Sequence, residues 1–346
     1  MEEQPESGIS VLICCYNSSE RLPKTLKHLA LQEVPSHVNW EIILIDNAST
    51  DGTATVAERE WAQYGIQNIN FTVLSEYTPG KNYAFNTGLH AARFEYILTC
   101  DDDNWLNPDY IALAYEIMKA DAQVAALGGC GIFEPELPLT PEIEQLSHYF
   151  VNGPQTWVST EHWVYGAGSV YRKSILTDLI ASGWQQITTG RKGKSLVCGE
   201  DVEICFMFYL TGHKIIADDN LQFRHFVPLK RQKIAYIIDL TFWLSYSHVL
   251  MNSYYPILND DKRPIGEIIN KWLWGATKSH LKNLVRLALK KIKVWEKQSL
   301  EERLSFNRTH GTWYALFKNR KRIIDHHKQT KALILSKNMS TACTTT

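Results

Sequence analysis

Short apolar runs alternate with amphipathic stretches over the first hundred residues, and this alternation constrains the fold more than any other feature of the sequence. Four runs are rich in apolar and β-branched residues, at 9–15, 40–45, 71–74 and 96–100. Helical patterns separate them; after the first run, Leu22, Leu26 and Leu29 share one helix face. Strands that alternate with helices at this spacing predict an α/β fold with a mostly parallel sheet and flanking helices.

Three adjacent carboxylates, Asp101, Asp102 and Asp103, follow the fourth run directly. Because like charges repel, their proximity predicts a cation between them. Open α/β sheets bind ligands at the carboxyl ends of strands, where hard oxygen ligands suit Mg²⁺ or Mn²⁺ held together with a phosphate-bearing ligand. A solvated acidic turn is the alternative, since Asp favours turns. The apolar strand before the triplet and the helical pattern after it favour a nucleotide site.

The composition is that of a globular protein in a reducing compartment. Hydrophobic residues make up 45% of the 346 residues, enough for a large core, and the length predicts a catalytic domain with an accessory region. The seven cysteines form no Cys-x-x-Cys pair, which argues against a zinc module or a disulfide framework. The N-terminus is acidic and lacks an apolar signal region, so we expect a cytoplasmic protein.

Charge is divided unevenly along the chain. Residues 1–261 contain 17 Lys and Arg against 32 Asp and Glu, a net charge of −15, whereas residues 262–331 contain 18 against 5, a net charge of +13. Such an asymmetry predicts that the C-terminal region meets an anionic surface. Nucleic-acid binding is not expected, because no recognised motif accompanies the charge.

The basic segment also carries apolar residues at helical spacing, among them Trp272, Trp274 and Leu281. Basic amphipathic helices with tryptophan are typical of anionic membrane interfaces. A helical bundle packed on the catalytic domain, with a solvated basic face, is the alternative. A transmembrane helix is not expected, because Asp239 and His248 interrupt the apolar stretch that begins near residue 234.

Four segments, in this order, resemble the nucleotide-sugar glycosyltransferases of family 2, which have the GT-A fold. They are 11–17, 45–52, 80–88 running on to 95–96, and 101–103, and together they cover about residues 8–228. Two positions depart from the family pattern: Asn47 stands where a second Asp is commoner, and Phe85 where Arg is frequent.

The resemblance implies a GT-A, Rossmann-like, mostly parallel sheet in a catalytic domain over 1–229. Its nucleotide-binding half would cover 1–104 and its acceptor half 105–229. A basic amphipathic α-helical region over 230–335 and a disordered tail over 336–346 complete the expected organisation.

The resemblance also implies roles for individual residues. The expected donor-binding set is Tyr16, Asn17 and Asp46 at the base, Asp101 at the ribose, and Lys81, Asn86 and Asp102 elsewhere on the nucleotide sugar. The expected ligands of Mg²⁺ or Mn²⁺ are Asp103, Asp101 and His225. The expected general base is Asp201, and its neighbour Glu200 remains the other candidate.

Transfer of a sugar from a nucleotide sugar requires a cation and a base in any protein family. Displacing a nucleoside diphosphate from an anomeric carbon needs a cation at the leaving phosphates and a base at the acceptor hydroxyl. One in-line displacement inverts the anomeric centre. Simpler roles stay open: Asp46 could cap the next helix, Glu200 or Asp201 could stabilise a helix N-terminus, and His225 could be structural.

We therefore expect an inverting, metal-dependent glycosyltransferase of bacterial surface-polysaccharide synthesis. It would move one sugar from a nucleoside-diphosphate sugar to a hydroxyl of a glycan acceptor, with a lipid-linked acceptor favoured, and would be peripheral at the inner face of the plasma membrane. Single addition is expected because residues 222–226 do not fit the Gln-x-x-Arg-Trp signature of processive relatives. The alternatives are a nucleotidyltransferase, although no Gly-rich triphosphate loop follows the first strand, and a catalytically inactive membrane-associated scaffold.

Overall fold

The structure is a computed structural model that describes residues 5–193, 195–292 and 298–344. The chain divides into two units, one formed by Met1–Ser182 with Glu200–Gln232 and the other by Gly183–Gly199 with Lys233–Thr346. The domain boundaries expected from the sequence stay predictions. Parts of those domains, at 1–4, 194, 293–297 and 345–346, lie outside the described residues.

Within the described residues, eight strands of the first unit pair into one mixed sheet. They are β1 Glu6–Cys15, β2 Trp40–Asn47, β3 Asn70–Glu76, β4 Phe94–Thr99, β5 Asn104–Leu106, β6 Val124–Pro135, β7 Val170–Arg172 and β8 Lys214–Val227. Their order across the sheet is β3-β2-β1-β4-β7-β6-β8-β5. Parallel pairs join β1 to β2 and β4, β2 to β3, and β6 to β8. β7 is antiparallel to β4 and β6, and β5 is antiparallel to β8. The predicted α/β class is confirmed, with a sheet that is not wholly parallel.

The helices of the first unit follow the strands in the predicted alternation. They are α1 Leu22–Ala30, α2 Thr53–Gln63, α3 Lys81–Ala91, α4 Tyr110–Ala120, α5 Pro141–Glu144, α6 Val158–Glu161, α7 Lys173–Ala181 and α8 Glu200–Leu210, with a 3₁₀ helix at Ser147–Tyr149. The predicted apolar face of α1, formed by Leu22, Leu26 and Leu29, is fully buried in the core that also contains Val11 and Ile13 of β1. Removal of this apolar surface from water is what holds helix and sheet together.

The carboxyl ends of the parallel strands β1, β2 and β4 lie side by side. Cys15 at the end of β1 is in register with Asp46 of β2, and Leu12 of β1 is in register with Thr99 at the end of β4. The segments that follow these strands therefore leave the sheet at one edge, which is where open α/β sheets bind ligands.

Asn47 fixes the loop that leads from β3 into α3. Its Nδ2 donates to the carbonyl oxygens of Glu76 (3.1 Å) and Thr78 (2.7 Å), and its Oδ1 accepts the N–H of Gly80 (2.7 Å). Gly80 precedes α3 with a φ of 140°, a conformation that favours glycine. Because an aspartate at position 47 could not donate to the two carbonyl groups, the departure from the family pattern has a structural reason here.

The second unit is helical over most of its described residues. Its elements are α9 Ile234–Leu250, a 3₁₀ helix at Met251–Ser253, α10 Tyr255–Leu258, α11 Ile265–Ile292 and α12 Leu300–Thr344. Two buried histidines attach α12 to neighbouring segments. His327 Nδ1 lies 2.8 Å from the carbonyl oxygen of Ser253, and His326 Nε2 lies 2.9 Å from that of Gln185. Burial lowers the pKa of His326 to about 4, so this side chain is neutral at physiological pH.

One helical segment among the described residues, Ile234–Ser253, has the length and composition of a membrane span. In the structure, 44% of its apolar window is buried, including Ile237, Leu240 and Leu250. Core helices of soluble proteins satisfy the same two criteria.

We expect Asn47→Asp to destabilise the protein by about 2–3 kcal/mol, because it would place a buried carboxylate against two carbonyl groups that lose their donor. Urea denaturation of the purified variant measures this loss. Asn68→Asp, at an exposed position between α2 and β3, is the matched control and should change the free energy of unfolding by less than about 0.5 kcal/mol. Equal stabilities of the two variants would contradict the role given to Asn47.

Candidate active site

Each of the three adjacent aspartates is paired with a different basic residue. The closest atom pairs are Asp101 Oδ1 with Lys81 Nζ (3.2 Å), Asp102 Oδ2 with Arg21 Nη2 (2.5 Å) and Asp103 Oδ2 with Arg231 Nη1 (2.9 Å). Lys81 begins α3, Arg21 precedes α1 and Arg231 follows β8. Three separate segments of the first unit thus supply the positive charge that this acidic run requires.

Lys81 links the aspartate run to the start of α8. Its Nζ lies 3.6 Å from Glu200 Oε1 as well as 3.2 Å from Asp101 Oδ1. Burial disfavours the ammonium, but the charges of Asp101 and Glu200 outweigh it and raise the pKa of Lys81 above its ordinary value. Lys81 is therefore a permanent cation between two carboxylates from distant parts of the sequence.

Asp201, the expected general base, is half-buried beside this cluster. Its Oδ2 accepts the N–H of Gly166 (2.5 Å), and its Oδ1 accepts the N–H of Val202 (2.9 Å). Burial and the neighbouring Glu200 carboxylate raise the pKa of Asp201 to about 6, although Lys81 acts in the opposite direction. The carboxylate is thus ionised at neutral pH and is a stronger base than an exposed aspartate.

Gly166 permits this close approach of backbone to carboxylate. A Cβ atom added at Gly166 would lie 3.1 Å from Asp201 Cβ and 3.2 Å from Asp201 Oδ2. Such contacts are tighter than ordinary van der Waals separations, so a side chain at this position would push the carboxylate away from the N–H group that orients it.

Asp103, the expected metal ligand, is nearly fully buried. Its Oδ2 pairs with Arg231, and its Oδ1 lies 3.4 Å from Asn104 Nδ2 and 3.9 Å from His225 Nε2. Antiparallel pairing of β5 with β8 sets Asn104 opposite His225 and so brings the histidine to the aspartate. Burial lowers the pKa of His225, with the charge of Asp103 opposing, so its imidazole is neutral and can act as a ligand.

Asp102 accepts hydrogen bonds through both its side chain and its backbone. Its carboxylate accepts hydrogen bonds from Ser18 and Arg21, and its carbonyl oxygen accepts one from Thr25 Oγ1 (2.8 Å). These contacts tie the aspartate loop to the loop and helix that follow β1. A role in contacting the nucleotide sugar stays a prediction for Asp102.

The residues expected at the base lie on the loops after β1 and β2. Tyr16 is 54% exposed, and Asn17 adopts a positive φ of 49°. Asn17 Oδ1 accepts the N–H of Thr50 (2.8 Å), and Asp46 Oδ1 accepts the N–H of Ser49 (3.3 Å). The two loops are therefore cross-linked by hydrogen bonds, and their expected contact with a base stays a prediction.

Asn86 is separated from the charged cluster by the geometry of α3. It lies five residues after Lys81, which is a rotation of about 140° around the helix axis, and it is exposed. Its neighbour Phe85 packs edge-on against the buried ring of Tyr171, which gives the second departure from the family pattern a packing role.

Sequence reasoning missed Arg21 and Arg231. Each acts through a contact between residues at least 81 positions apart, and no local motif indicates that contact. Arg231 also lies just beyond residue 229, where the catalytic domain was expected to end. The only sequence signal available for it is electrostatic, since a buried Asp103 requires a positive partner.

The donor set suits a divalent cation that is completed by phosphate oxygens. Among the described residues there is no group of three or more His, Cys, Asp or Glu side chains that could enclose a metal ion. Mg²⁺ in nucleotide enzymes commonly uses one or two carboxylates together with substrate phosphates. Asp103 Oδ1 and His225 Nε2, which lie 3.9 Å apart, fit such an open site. Asp101, the third expected ligand, already forms an ion pair with Lys81 through Oδ1, and its role at a metal stays a prediction.

Comparison with known proteins identifies the family. The model described as Glycosyl transferase family 2 matches residues 10–180, which include the loops after β1 and β2, α3 and all three aspartates of the acidic run. The chain belongs to glycosyl transferase family 2. Membership in this family makes the protein a glycosyltransferase and argues against both the nucleotidyltransferase and the inactive scaffold.

Two curated relatives of this family 2 glycosyltransferase are similar over most of the chain. Glucosyl-dolichyl phosphate glucuronosyltransferase of Haloferax volcanii is 22% identical over 264 residues, which are 73% of this chain and 80% of the relative. Poly-beta-1,6-N-acetyl-D-glucosamine synthase of Staphylococcus epidermidis is 23% identical over 271 residues, which are 75% of this chain and 60% of the relative. The chain thus spans less than two thirds of the synthase.

A solved structure shares the fold. The mannosyltransferase PcManGT from Pyrobaculum calidifontis, in complex with GDP-Man and Mn²⁺, superposes with a TM-score of 0.51 at 18% identity, covering 97% of this chain and 78% of that one. This likeness confirms the expected GT-A fold.

We expect Lys81→Met to destabilise the glycosyltransferase by about 1–3 kcal/mol near pH 8, because Asp101 and Glu200 lose the cation between them. Without Lys81, the pKa of Asp201 rises further above its value in the unfolded chain. The folded state then binds more protons than the unfolded state, so stability falls as pH rises and the defect shrinks near pH 5. Urea denaturation at both pH values measures the difference.

Lys27→Met, at an exposed position on α1, is the control for this experiment and should be nearly neutral at either pH. A defect of Lys81→Met that is the same at both pH values would show that Lys81 acts by packing rather than by charge.

Proposed function

We propose that this enzyme transfers one sugar from a nucleoside-diphosphate sugar to a hydroxyl of a glycan acceptor, with inversion at the anomeric carbon. The observation that carries the proposal is the pairing of two sites in the first unit. Asp103 and His225 form an open ligand pair, and Asp201 is a half-buried carboxylate with a raised pKa that is ionised at neutral pH. The Asp103–His225 pair suits the binding of a cation at the leaving diphosphate. Asp201 suits the removal of a proton from the attacking hydroxyl.

On the donor side, Asp103 and His225 would hold Mg²⁺ or Mn²⁺. The ion, when bound, offsets the negative charge that develops on the departing diphosphate. Lys81 keeps the neighbouring Asp101 carboxylate in place, and Ser18 and Arg21 hold the backbone of the loop through Asp102. The protein therefore positions the ligand pair before the donor arrives, which is the usual requirement for electrostatic stabilisation of a transition state.

On the acceptor side, Asp201 would accept the proton of the attacking hydroxyl. The N–H groups of Gly166 and Val202 each bind one oxygen and orient the carboxylate, while the remaining lone pairs can face the acceptor. Asp201 suits this task better than Glu200, because Lys81 already forms an ion pair with Glu200. A base whose pKa lies close to the working pH combines ionisation with proton affinity.

The relatives support the type of reaction. One is named as a glucuronosyltransferase acting on a glucosyl-dolichyl phosphate and the other as the synthase of an N-acetylglucosamine polymer. These names favour a place in polysaccharide assembly with a lipid-linked acceptor. The GDP-Man and Mn²⁺ bound by the solved neighbour favour a nucleoside-diphosphate donor and a divalent cation. The missing processive signature at 222–226 favours addition of a single sugar.

Helix α11 supports a location at an anionic membrane surface. Apolar side chains that are 41–63% exposed recur on one face of the helix: Trp274, Leu281, Leu284, Val285 and Leu289. Lysines border this stripe, and Lys278 Nζ lies 4.8 Å from the centre of the Trp274 ring. On another face of α11, the buried His280 stacks on Trp313 of α12. An apolar stripe with a basic border is typical of helices that lie in the interface of anionic membranes.

The proposed reaction predicts that the purified enzyme releases one nucleoside diphosphate from a panel of UDP-, GDP- and dTDP-sugars when Mg²⁺ or Mn²⁺ is present. Asp201→Asn should lower turnover by about 10²–10⁴-fold and leave nucleotide affinity nearly unchanged, because the base acts only on the proton. In the wild type, kcat/KM should fall as the pH drops below about 6, where Asp201 becomes protonated.

Asp109→Asn, at an exposed aspartate before α4, is the control and should keep full activity. Normal turnover by Asp201→Asn would transfer the role of base to Glu200. Absence of both nucleotide binding and turnover across the panel would contradict the proposed reaction.

The α11 stripe predicts that the protein sediments with vesicles of phosphatidylcholine and phosphatidylglycerol at low salt. Trp274→Ser combined with Val285→Ser should weaken this binding by about tenfold or more, because each side chain contributes roughly 1–2 kcal/mol on burial. Leu31→Ser, at a leucine in the first unit that is 54% exposed, should bind like the wild type. Equal sedimentation of all three proteins, or equal binding to pure phosphatidylcholine, would contradict an anionic membrane contact through α11.

A further inference from the structure

Arg231 is an arginine of the first unit to which the sequence assigns no role. Its Nη1 lies 2.9 Å from Asp103 Oδ2, and the side chains of Arg231 and Asp103 are only 20% and 4% exposed. Forming an ion pair so far removed from water costs desolvation free energy. Removing one partner leaves an uncompensated buried charge, which is strongly destabilising. It also involves the carboxylate that is best placed to bind a cation.

We propose that Arg231 competes with the divalent cation for Asp103 in the donor-free enzyme and transfers to the diphosphate of the donor when cation and donor bind. This role rests on the proposed use of a nucleoside-diphosphate donor. In it, Arg231 is a substrate-binding residue whose resting position is the metal site.

The competition follows from the surroundings of Asp103. Arg231 Nη1 lies 2.9 Å from Asp103 Oδ2, closer than His225 Nε2, which lies 3.9 Å from Asp103 Oδ1. Arg231 therefore supplies the positive charge that the buried carboxylate needs in the donor-free protein. A divalent cation on Asp103 would meet the guanidinium at short range, and two positive groups so close together repel strongly at low dielectric. Full binding of the cation thus requires Arg231 to leave.

The turn that carries Arg231 allows this movement without a change in the fold. The Arg231 N–H donates to the Pro228 carbonyl oxygen (2.8 Å), and the Leu229 N–H donates to Glu136 Oε2 (2.6 Å). Gln232 Nε2 donates to the carbonyl oxygen of Val227 at the end of β8 (2.8 Å). The backbone is thus anchored on both sides of Arg231, so the proposed movement is a rotation of the side chain about its own torsions.

A diphosphate is the natural second partner for the displaced guanidinium. The planar fork of arginine matches phosphate oxygens as well as carboxylate oxygens, and it can bind two of them at once. A cation on Asp103 would bring a donor diphosphate to the position next to Arg231. The cation and the diphosphate then assist each other, because each removes the partner that holds Arg231 in its resting place.

The experiment compares wild type with Arg231→Met, which removes the charge and keeps much of the side-chain length. Free Mn²⁺ is measured by electron paramagnetic resonance, first with protein alone and then with UDP or GDP added. We expect Arg231→Met to bind Mn²⁺ alone about tenfold more tightly than wild type, since its competitor is absent, and UDP or GDP with Mn²⁺ about tenfold more weakly. Arg231→Lys should lie between the two for both ligands.

Arg224→Met is the matched control, because Arg224 is an arginine of β8 whose ion pair with Glu134 is largely exposed. It should bind Mn²⁺ and nucleotide like the wild type. Thermal unfolding of all variants shows whether each is folded before binding is measured.

Mn²⁺ affinity of Arg231→Met that is unchanged or weaker than that of the wild type would overturn the competition. A joint loss of Mn²⁺ and nucleotide binding would indicate a purely structural ion pair and would also overturn it. Failure of the wild type to bind either UDP or GDP would contradict the proposed donor, whereas the affinity for Mn²⁺ alone would still decide whether Arg231 competes for Asp103.

Discussion

Charge compensation of three consecutive aspartates is the constraint on which the rest of this site depends. Asp101, Asp102 and Asp103 stand at the end of a buried strand, where their mutual repulsion would be large without cations. Lys81, Arg21 and Arg231 supply these cations from three different segments. Each pair also serves as a tie between the aspartate loop and another part of the first unit, so electrostatic balance and local architecture are the same interaction.

The three pairs differ in what they leave available for chemistry. Asp102 is enclosed by Ser18 and Arg21 and acts as an anchor. Asp103 keeps one oxygen directed towards His225 and has an arginine, not a fixed lysine, on the other. In the proposed function, this difference lets one acidic run combine a rigid loop with a metal-binding position, and Arg231 balances the charge of Asp103 when the donor is absent.

At Asp201, the proposed general base, specific contacts likewise oppose the effect of burial. Asp201 is partly removed from water, which favours its protonated form, yet two backbone N–H groups and Lys81 favour the carboxylate. The outcome is a pKa of about 6, between that of an exposed aspartate and neutrality. Gly166 is necessary for this balance, because any side chain there would meet Asp201. A raised pKa in an oriented carboxylate is what a general base requires.

The sequence by itself determined the α/β class, the alternation of strands and helices, the strand end that carries the aspartates and the family resemblance. These follow from local periodicity and from ordered motifs, which depend on neighbouring residues only. Tertiary structure alone decided that Asn47 fixes a loop, that Gly166 orients Asp201, and that Arg231 pairs with Asp103 across 128 positions of sequence. No local pattern records such contacts, because the pairing of distant charges and the space around a glycine are set only when the sheet brings the segments together.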